Sequence, residues 1–383
     1  MKAKRTLVTR CGVVCLFLLW CSSAWPQDKP AEGWWRFAVS GDSRNCGDVV
    51  MPAIASSVLE HSVDFYWHLG DFRKMSGIDE DIAIRFSDQL TMDEYRRDAW
   101  GDFIGHQIVP FGLLPVYLGI GNHELAGGRT KRDYINQFAY WLDTPELHRQ
   151  RAADGRQSDS IASFHWQKRH VDFISLDNAN EVGFSDAQLL WLEGVLASDR
   201  DNPDILTVVV GMHRALPNSL ACGHSMNGDV NTPAEVAAKS LGSGLRAYRD
   251  LLHWKQQTGK HVYVVASHSH FLMERIFETS YWKNAEEKDR GVLPGWIVGT
   301  AGAQRYGLPE GLPKDIHAET LVSGYLLGTV APNGEVQFEF QKVTQRDVPQ
   351  AVQREFDEQF IETCFTKNSS LKLHPAPTSC PKN

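Results

Sequence analysis

The feature that most restricts how this chain can fold is a set of short apolar runs, each cut off by a small polar cluster. Arg36 to Ser40 runs into Gly41-Asp42, Phe65 to Leu69 into Gly70-Asp71, and Leu114 to Ile120 into Gly121-Asn122-His123-Glu124. Ile205 to Val210 runs into Gly211-Met212-His213-Arg214, and His261 to Ala266 into Ser267-His268-Ser269-His270. A short β-branched and aromatic run bounded by turn formers predicts a buried strand followed by a loop. Helical periodicity over Val49 to Leu59 and Asp93 to Ile104 alternates with these runs, the order of a layered α/β protein. Ala162 to Trp166 and His170 to Leu176 flank Gln167-Lys168-Arg169 as an antiparallel hairpin, which makes the sheet system mixed. Ser185 is the expected N-cap of a helix reaching Ala197, Leu245 to Gln257 predicts another helix, and Asn333-Gly334 predicts the turn of a hairpin.

The first 24 residues read as an address. Lys2, Lys4, Arg5 and Arg10 precede an apolar run from about Cys11 to Trp20, followed by Ser22, Ser23 and Ala24, the pattern of a cleaved secretory signal. That run is too short to span a bilayer, and no later stretch reaches the roughly 20 apolar residues a spanning helix needs. The expected organisation is therefore a signal peptide over 1–24, one catalytic-type domain over 25–345, and a C-terminal helix and tail over 346–383. Export places the mature chain in a periplasmic or secreted setting. Lys and Arg number 39 against 47 Asp and Glu, a formal charge of −8. Loss of four basic and no acidic residues with the signal takes it to −12, the wrong sign for a broad grip on nucleic acid. An anionic substrate would need local cations, such as metal ions or focused arginines.

Of seven cysteines, Cys11, Cys15 and Cys21 leave with the signal, so Cys46, Cys222, Cys364 and Cys380 remain. An even count in an oxidising compartment predicts two disulfides. Three pairings are open; the nearness of Cys364 and Cys380 in the tail favours that pair, leaving Cys46 with Cys222. From Val348 to Thr363 a single polar helix is expected, as an appendage. Asn218 to Thr232, holding Cys222 and His224, is a long insertion that either shapes a pocket or lies inert on the surface.

No single histidine is informative, but the distribution is. Asp42, Asp71, Asn122, His123, His213, His268 and His270 all follow β runs, on the side where open α/β sheets place ligands. Carboxylate and amide oxygens mixed with imidazoles suit Zn, Mn or Fe rather than Ca, as one or two divalent or trivalent ions.

The order Gly-Asp, Gly-Asp, Gly-Asn-His-Glu, single His, His-x-His resembles the calcineurin-like metallophosphoesterase superfamily, which includes the purple acid phosphatases. The resemblance implies a four-layer αββα sandwich of two mixed sheets with a dinuclear centre at the strand ends. It implies Asp42 and His270 on the first metal, Asn122, His213 and His268 on the second, and Asp71 bridging them. It further implies attack by a metal-bound hydroxide on a small phosphoester, with His123 protonating or orienting the leaving oxygen and Glu124 holding an imidazole in place.

Two departures matter. The family's first motif is Asp-x-His, whereas Arg44 stands where the His would be, and a guanidinium does not ligate a metal. The tyrosine that purple acid phosphatases carry three residues after the bridging Asp is replaced by Lys74, which disfavours the tyrosinate-iron subclass. Either the first metal is held by Asp42, Asp71, His270 and water, or it is absent and Arg44 replaces part of its charge. Arg44 and Arg214 are also candidates for gripping the substrate phosphate. Phosphomonoester hydrolysis is the leading expectation, a phosphodiesterase the close alternative, and a non-catalytic extracytoplasmic binding protein with a degenerate first site the third. Substrate identity and oligomeric state are not legible.

Overall fold

Alternation along the strands decides which face of each sheet meets which layer. A computed structural model describes residues 31–86, 89–228, 232–284 and 291–367. The expected signal peptide and Cys380 lie outside them. One sheet contains β1 (Trp35–Ser40), β2 (Tyr66–His68), β3 (Val116–Leu118), β11 (Ser323–Val330) and β12 (Val336–Val343). The other contains β4 (Phe164–Lys168), β5 (Val171–Leu176), β6 (Thr207–Met212), β7 (His261–Ala266), β8 (Leu272–Glu274), β9 (Gly295–Val298) and β10 (Ala318–Glu319). The strand orders are β12-β11-β1-β2-β3 and β10-β8-β9-β7-β6-β5-β4. β1, β2 and β3 run parallel, as do β5, β6, β7 and β9, while hairpins and edge strands add antiparallel pairs, so both sheets are mixed.

The period of two sorts the side chains into separate cores. Trp35, Phe37 and Val39 of β1, Phe173 of β5, Val209 of β6, and Tyr263 and Val265 of β7 meet between the sheets. Their neighbours Ile174, Val208, Val210, Val262 and Val264 point the other way, into the helices Asp186–Asp201 and Ala234–Thr258. On the far face of the first sheet, Ala38, Tyr66, Tyr325 and Leu327 pack on the helix Gly47–Glu60. Four layers result, helix, sheet, sheet, helix, as expected.

Ser185 caps the helix Asp186–Asp201, its hydroxyl accepting the Gln188 N–H. The helix ending at Thr258 begins at Ala234, well before Leu245, because its early buried face is made of Ser240 and Gly244, which a search for apolar periodicity overlooks. Gly244 packs under Pro217 and Met226, where a side chain would collide.

The C-terminal segment differs from expectation in two ways. It is broken into Gln350–Glu355 and Glu358–Glu362, because Phe356 adopts an extended backbone and Asp357 caps the second piece through Phe360 N–H. It is also packed: Val352, Phe356, Phe360, Ile361 and Cys364 are buried against the helix Gly47–Glu60. That packing brings Cys364 to Cys46, with Cα atoms 5.6 Å apart, and the two form a disulfide. The pairings Cys364 with Cys380 and Cys46 with Cys222 are therefore both corrected. Cys222 is itself disulfide-bonded. Among the described residues, no helix is long and apolar enough to cross a membrane.

Candidate metal centre

Parallel strands deliver their carboxyl ends to one rim, and every donor-bearing loop leaves from it. Asp42 follows β1, Asp71 follows β2, Asn122 follows β3, His213 follows β6, and His268 and His270 follow β7. Three of these residues, Asp42, Asp71 and His268, have φ of 61°, 62° and 66°, a left-handed backbone that non-glycine residues rarely adopt. Such strain persists only where surrounding contacts hold it, and it concentrates at functional sites. The loops are tied to each other: Asp42 N–H donates to Gly70 C=O at 3.0 Å, Ser43 N–H to Asp71 C=O at 3.0 Å, and Ser267 N–H to His213 C=O at 2.9 Å.

Two donor groups share Asp71. In one, Asp71, His213 and His268 present ligand atoms within 4.8 Å of one another. His213 Nε2 is 3.0 Å from Asn122 Oδ1, 3.0 Å from His268 Nδ1 and 3.3 Å from Asp71 Oδ1. Its other nitrogen, Nδ1, lies 3.1 Å from both Leu69 C=O and Ser267 Oγ; with the proton on Nδ1, the Nε2 lone pair faces the donors. In the other group, Asp42, Asp71 and His270 converge within the same limit. Asp42 Oδ1 and Asp71 Oδ2 are buried with no hydrogen-bond partner. Burial opposes their charge, but His270 beside Asp42, and His213, His123 and Arg44 around Asp71, outweigh it and hold both carboxyls below their ordinary range. Burial lowers the basicity of His268, and of His270 to about 4, so both imidazoles stay neutral with lone pairs to offer.

Close approach of these loops depends on glycine. A Cβ on Gly121 would lie 2.9 Å from His213 Cε1 and collide with both the amide and the carboxylate of Asp71. Glu124, expected to steady an imidazole, instead accepts three backbone N–H groups, from Asp71 at 2.8 Å, Phe72 at 2.9 Å and Gly121 at 2.8 Å. It binds the loop after β2 to the loop after β3, and so sets the spacing of Asp71 and Asn122.

His123 is positioned by its backbone N–H, which donates to Asp71 Oδ1 at 2.9 Å, and by an Nδ1 contact with Lys74 C=O. With Nδ1 so engaged, Nε2 faces the donors, 3.9 Å from Asp71 Oδ2. Arg214 is held by Asn178 and Asn180: its Nε donates to Asn178 C=O at 3.1 Å and its Nη2 to Asn180 C=O. It lines a pocket of about 120 Å³ together with Asn122, His268, Glu181, Gly223 and Ser225. Gly223, Ser225, Gly228 and Thr232 of the insertion therefore form one wall of that pocket. Arg44 lies against the Asp42, Asp71 and His270 group, its Nη2 3.0 Å from His270 Nε2 and its Nε 3.7 Å from Asp71 Oδ2.

Two nearby residues, Tyr306 and Arg305, carry no signal in the local sequence, and a third, His224, stands in the insertion expected either to shape a pocket or to lie inert. Tyr306 stacks on His270 with ring centroids 4.1 Å apart and reaches Arg44 Nη2 at 3.5 Å. His224, from the insertion, lies 4.9 Å from the Tyr306 ring and 5.5 Å from that of His268. Arg305 is fully buried, donates to Ala303 C=O and Ser323 Oγ, and its charge interacts with Asp42.

The donor chemistry fits a metal. Two imidazoles, a carboxylate and an amide oxygen form a borderline set suited to Zn, Mn or Fe, and Asp42 Oδ1 and Asp71 Oδ2 are buried without a hydrogen-bond partner.

No family model and no curated protein sequence matches the chain. Among solved structures it is similar to the purple acid phosphatase PPD1 from yellow lupin (Lupinus luteus), with a TM-score of 0.53, 16% identity, and coverage of 85% of this chain and 53% of that one. It spans about half the length of the lupin protein. Similarity extends to PhoD, at TM-score 0.48 and 14% identity over 81% of this chain and 68% of that one. A metallophosphoesterase from Sphaerobacter thermophilus aligns at TM-score 0.32 and 13% identity, over 87% and 100%. The fold is thus shared with that purple acid phosphatase.

Proposed function

We propose that this chain is an exported, metal-dependent phosphoesterase whose substrate is a small phosphomonoester. The observation that carries the reading is the convergence of Asp71, Asn122, His213 and His268 beside His123, at the edge of a pocket walled by Arg214. Asp71, Asn122, His213 and His268 would hold an ion, and Asp42 and His270 are the remaining donors of a second group. A bound divalent or trivalent ion supplies Lewis acidity, drawing charge from phosphoryl oxygens and acidifying water.

The protein's own groups do the positioning. Arg214 offers a planar cation to phosphate oxygens, and its fastening to Asn178 and Asn180 limits the rotamer freedom lost on binding. His123, whose Nδ1–H donates to Lys74 C=O, is oriented with Nε2 toward the site, and in its imidazolium form, which burial opposes and the Asp71 carboxylate favours, it would deliver the Nε2 proton to a departing alkoxide. Gly223, Ser225 and Thr232 of the insertion close one side of the pocket, which favours a terminal phosphate over a diester with two arms. Export is supported by the signal-like N-terminus and by the Cys46–Cys364 disulfide, a bond that persists in oxidising compartments.

The test is hydrolysis of aryl phosphomonoester and phosphodiester probes by the purified mature chain, before and after chelation and with Mn, Zn or Fe restored. Chelator-sensitive turnover with the monoester preferred supports the proposal. Diester preference would reassign the substrate class, and no turnover with any metal would favour a binding protein.

A further inference from the structure

Resting on that phosphoesterase reading, we infer that the centre is mononuclear: one ion sits among Asp71, Asn122, His213 and His268, and the Arg44 guanidinium takes the place of a second. The Asp42, Asp71 and His270 group has three convergent donors, so the reason lies in what already occupies their lone pairs. His270 Nδ1 faces Gln304 C=O, a pure acceptor, so the ring proton resides on Nδ1. The Nε2 lone pair then accepts from Arg44 Nη2 at 3.0 Å, with Asp42 Oδ1 3.3 Å from the same nitrogen. An ion would need that same lone pair. Tyr306, stacked on the imidazole at an interplanar angle of 17° and 3.5 Å from Arg44 Nη2, fixes the orientation of both partners.

Charge leads to the same conclusion. Asp42 and Asp71 bring two negative charges, and two guanidiniums already interact with them. Arg44 Nε lies 3.7 Å from Asp71 Oδ2, and the charge of the buried Arg305 interacts with that of Asp42. A second divalent ion would enter a group that is neutral before it arrives, beside a cation it cannot displace into water cheaply.

Displacement is also opposed by the backbone. Asn45 N–H donates to Asp79 Oδ1 at 2.7 Å, Asn45 Oδ1 accepts Gln304 N–H at 3.1 Å, and Cys46 is bonded to Cys364. Arg44 therefore sits on a loop fastened on three sides, with its side chain only 12% exposed. Its Nε is buried and makes no hydrogen bond, lying 3.7 Å from Asp71 Oδ2. A phosphoryl oxygen is the acceptor a guanidinium fork matches best, so Arg44 would grip the phosphate where a second ion grips it in a dinuclear centre.

The experiment is elemental analysis of the mature chain after loading with Mn or Zn and dialysis, together with calorimetric titration of inorganic phosphate into the loaded protein. The wild type should hold one ion per chain, Arg44→His should gain a second, and His268→Ala should hold none. Arg44→Gln, which keeps the size but not the charge, should still hold one ion yet bind phosphate roughly 10- to 100-fold more weakly. Should Arg44→His fail to fold, the wild-type stoichiometry and the Arg44→Gln phosphate affinity still decide. Two ions in the wild type with turnover intact would overturn this inference alone, as would unchanged phosphate affinity in Arg44→Gln. No ion and no turnover in the wild type would instead overturn the phosphoesterase reading beneath it.

Discussion

Asn122 Oδ1 lies 3.0 Å from His213 Nε2, although 91 residues and two different sheets separate them. Asn122 leaves the first sheet after β3 and His213 leaves the second after β6, so the donor group is assembled across the inter-sheet layer. Its geometry is as rigid as the packing of Trp67, Trp166 and Phe173 beneath it. This arrangement lets loops of modest length hold several donors at fixed spacing.

His123 should affect turnover without affecting metal content. Its ring touches Lys74 C=O and faces the site, and the donors around His213 do not need it. His123→Ala is expected to lower kcat roughly 10²- to 10⁴-fold with ion content unchanged. The loss should be smaller for an aryl ester, whose leaving group needs little protonation, than for an alkyl ester. An equal loss for both would argue against a proton-delivering role.

Glu124 joins two loops through three amides, all buried. Glu124→Ala leaves those N–H groups without an acceptor, at roughly 1–3 kcal/mol for each unsatisfied group. Urea unfolding should show a destabilisation of at least about 2 kcal/mol, and metal affinity should fall because Asp71 and Asn122 lose their spacing. A variant as stable as wild type would show that water replaces the carboxylate.

His165 provides a pH-dependent term away from the site. Its ring bonds Asp172 at 2.7 Å and Asp154 at 2.9 Å. Burial alone would lower its pKa, but the two carboxylates outweigh burial and push it up to about 10. In the unfolded chain the imidazole titrates near ~6.5. The stabilisation is therefore complete below about pH 6.5 and is lost as pH rises through about 10. Denaturant unfolding of wild type and His165→Gln should differ by roughly 3–5 kcal/mol near neutral or lower pH. That gap should narrow toward the upper end of the window; a constant or widening gap would contradict the assignment.

The Cys46–Cys364 bond closes a loop between positions 318 residues apart. A cross-link of such span restricts the unfolded chain strongly, and its removal is expected to cost about 2–5 kcal/mol. Cys364→Ser should accordingly unfold at lower denaturant concentration. Because Cys46 adjoins the Arg44 loop, phosphate affinity should weaken in the same variant even where it remains folded. Stability and affinity both unchanged would mean that packing of Phe356, Phe360 and Ile361 alone holds the segment.

What could be read without coordinates was whatever has a local cause. Buried strands need continuous apolar runs, and polar residues that interrupt them at one end must lie on one rim, so Asp42, Asp71, Asn122, His213, His268 and His270 were identifiable as a group. The layered fold followed from the same alternation, and Ser185 was recognisable as a cap because capping is a contact within one turn. Short edge strands such as β8 and β10 are not legible in sequence, since so few residues carry too little periodicity. Tertiary structure alone decided the disulfide, because Cys46 and Cys364 meet only when Phe356 and Phe360 bury themselves against the helix Gly47–Glu60. It also decided the partners of Glu124, the place of His224 within the insertion, and the roles open to Tyr306 and Arg305, which stand in unremarkable sequence. Most of all it decided where Arg44 points: the one-dimensional pattern registers a missing ligand, but only side-chain packing turns that guanidinium onto His270 and Asp71.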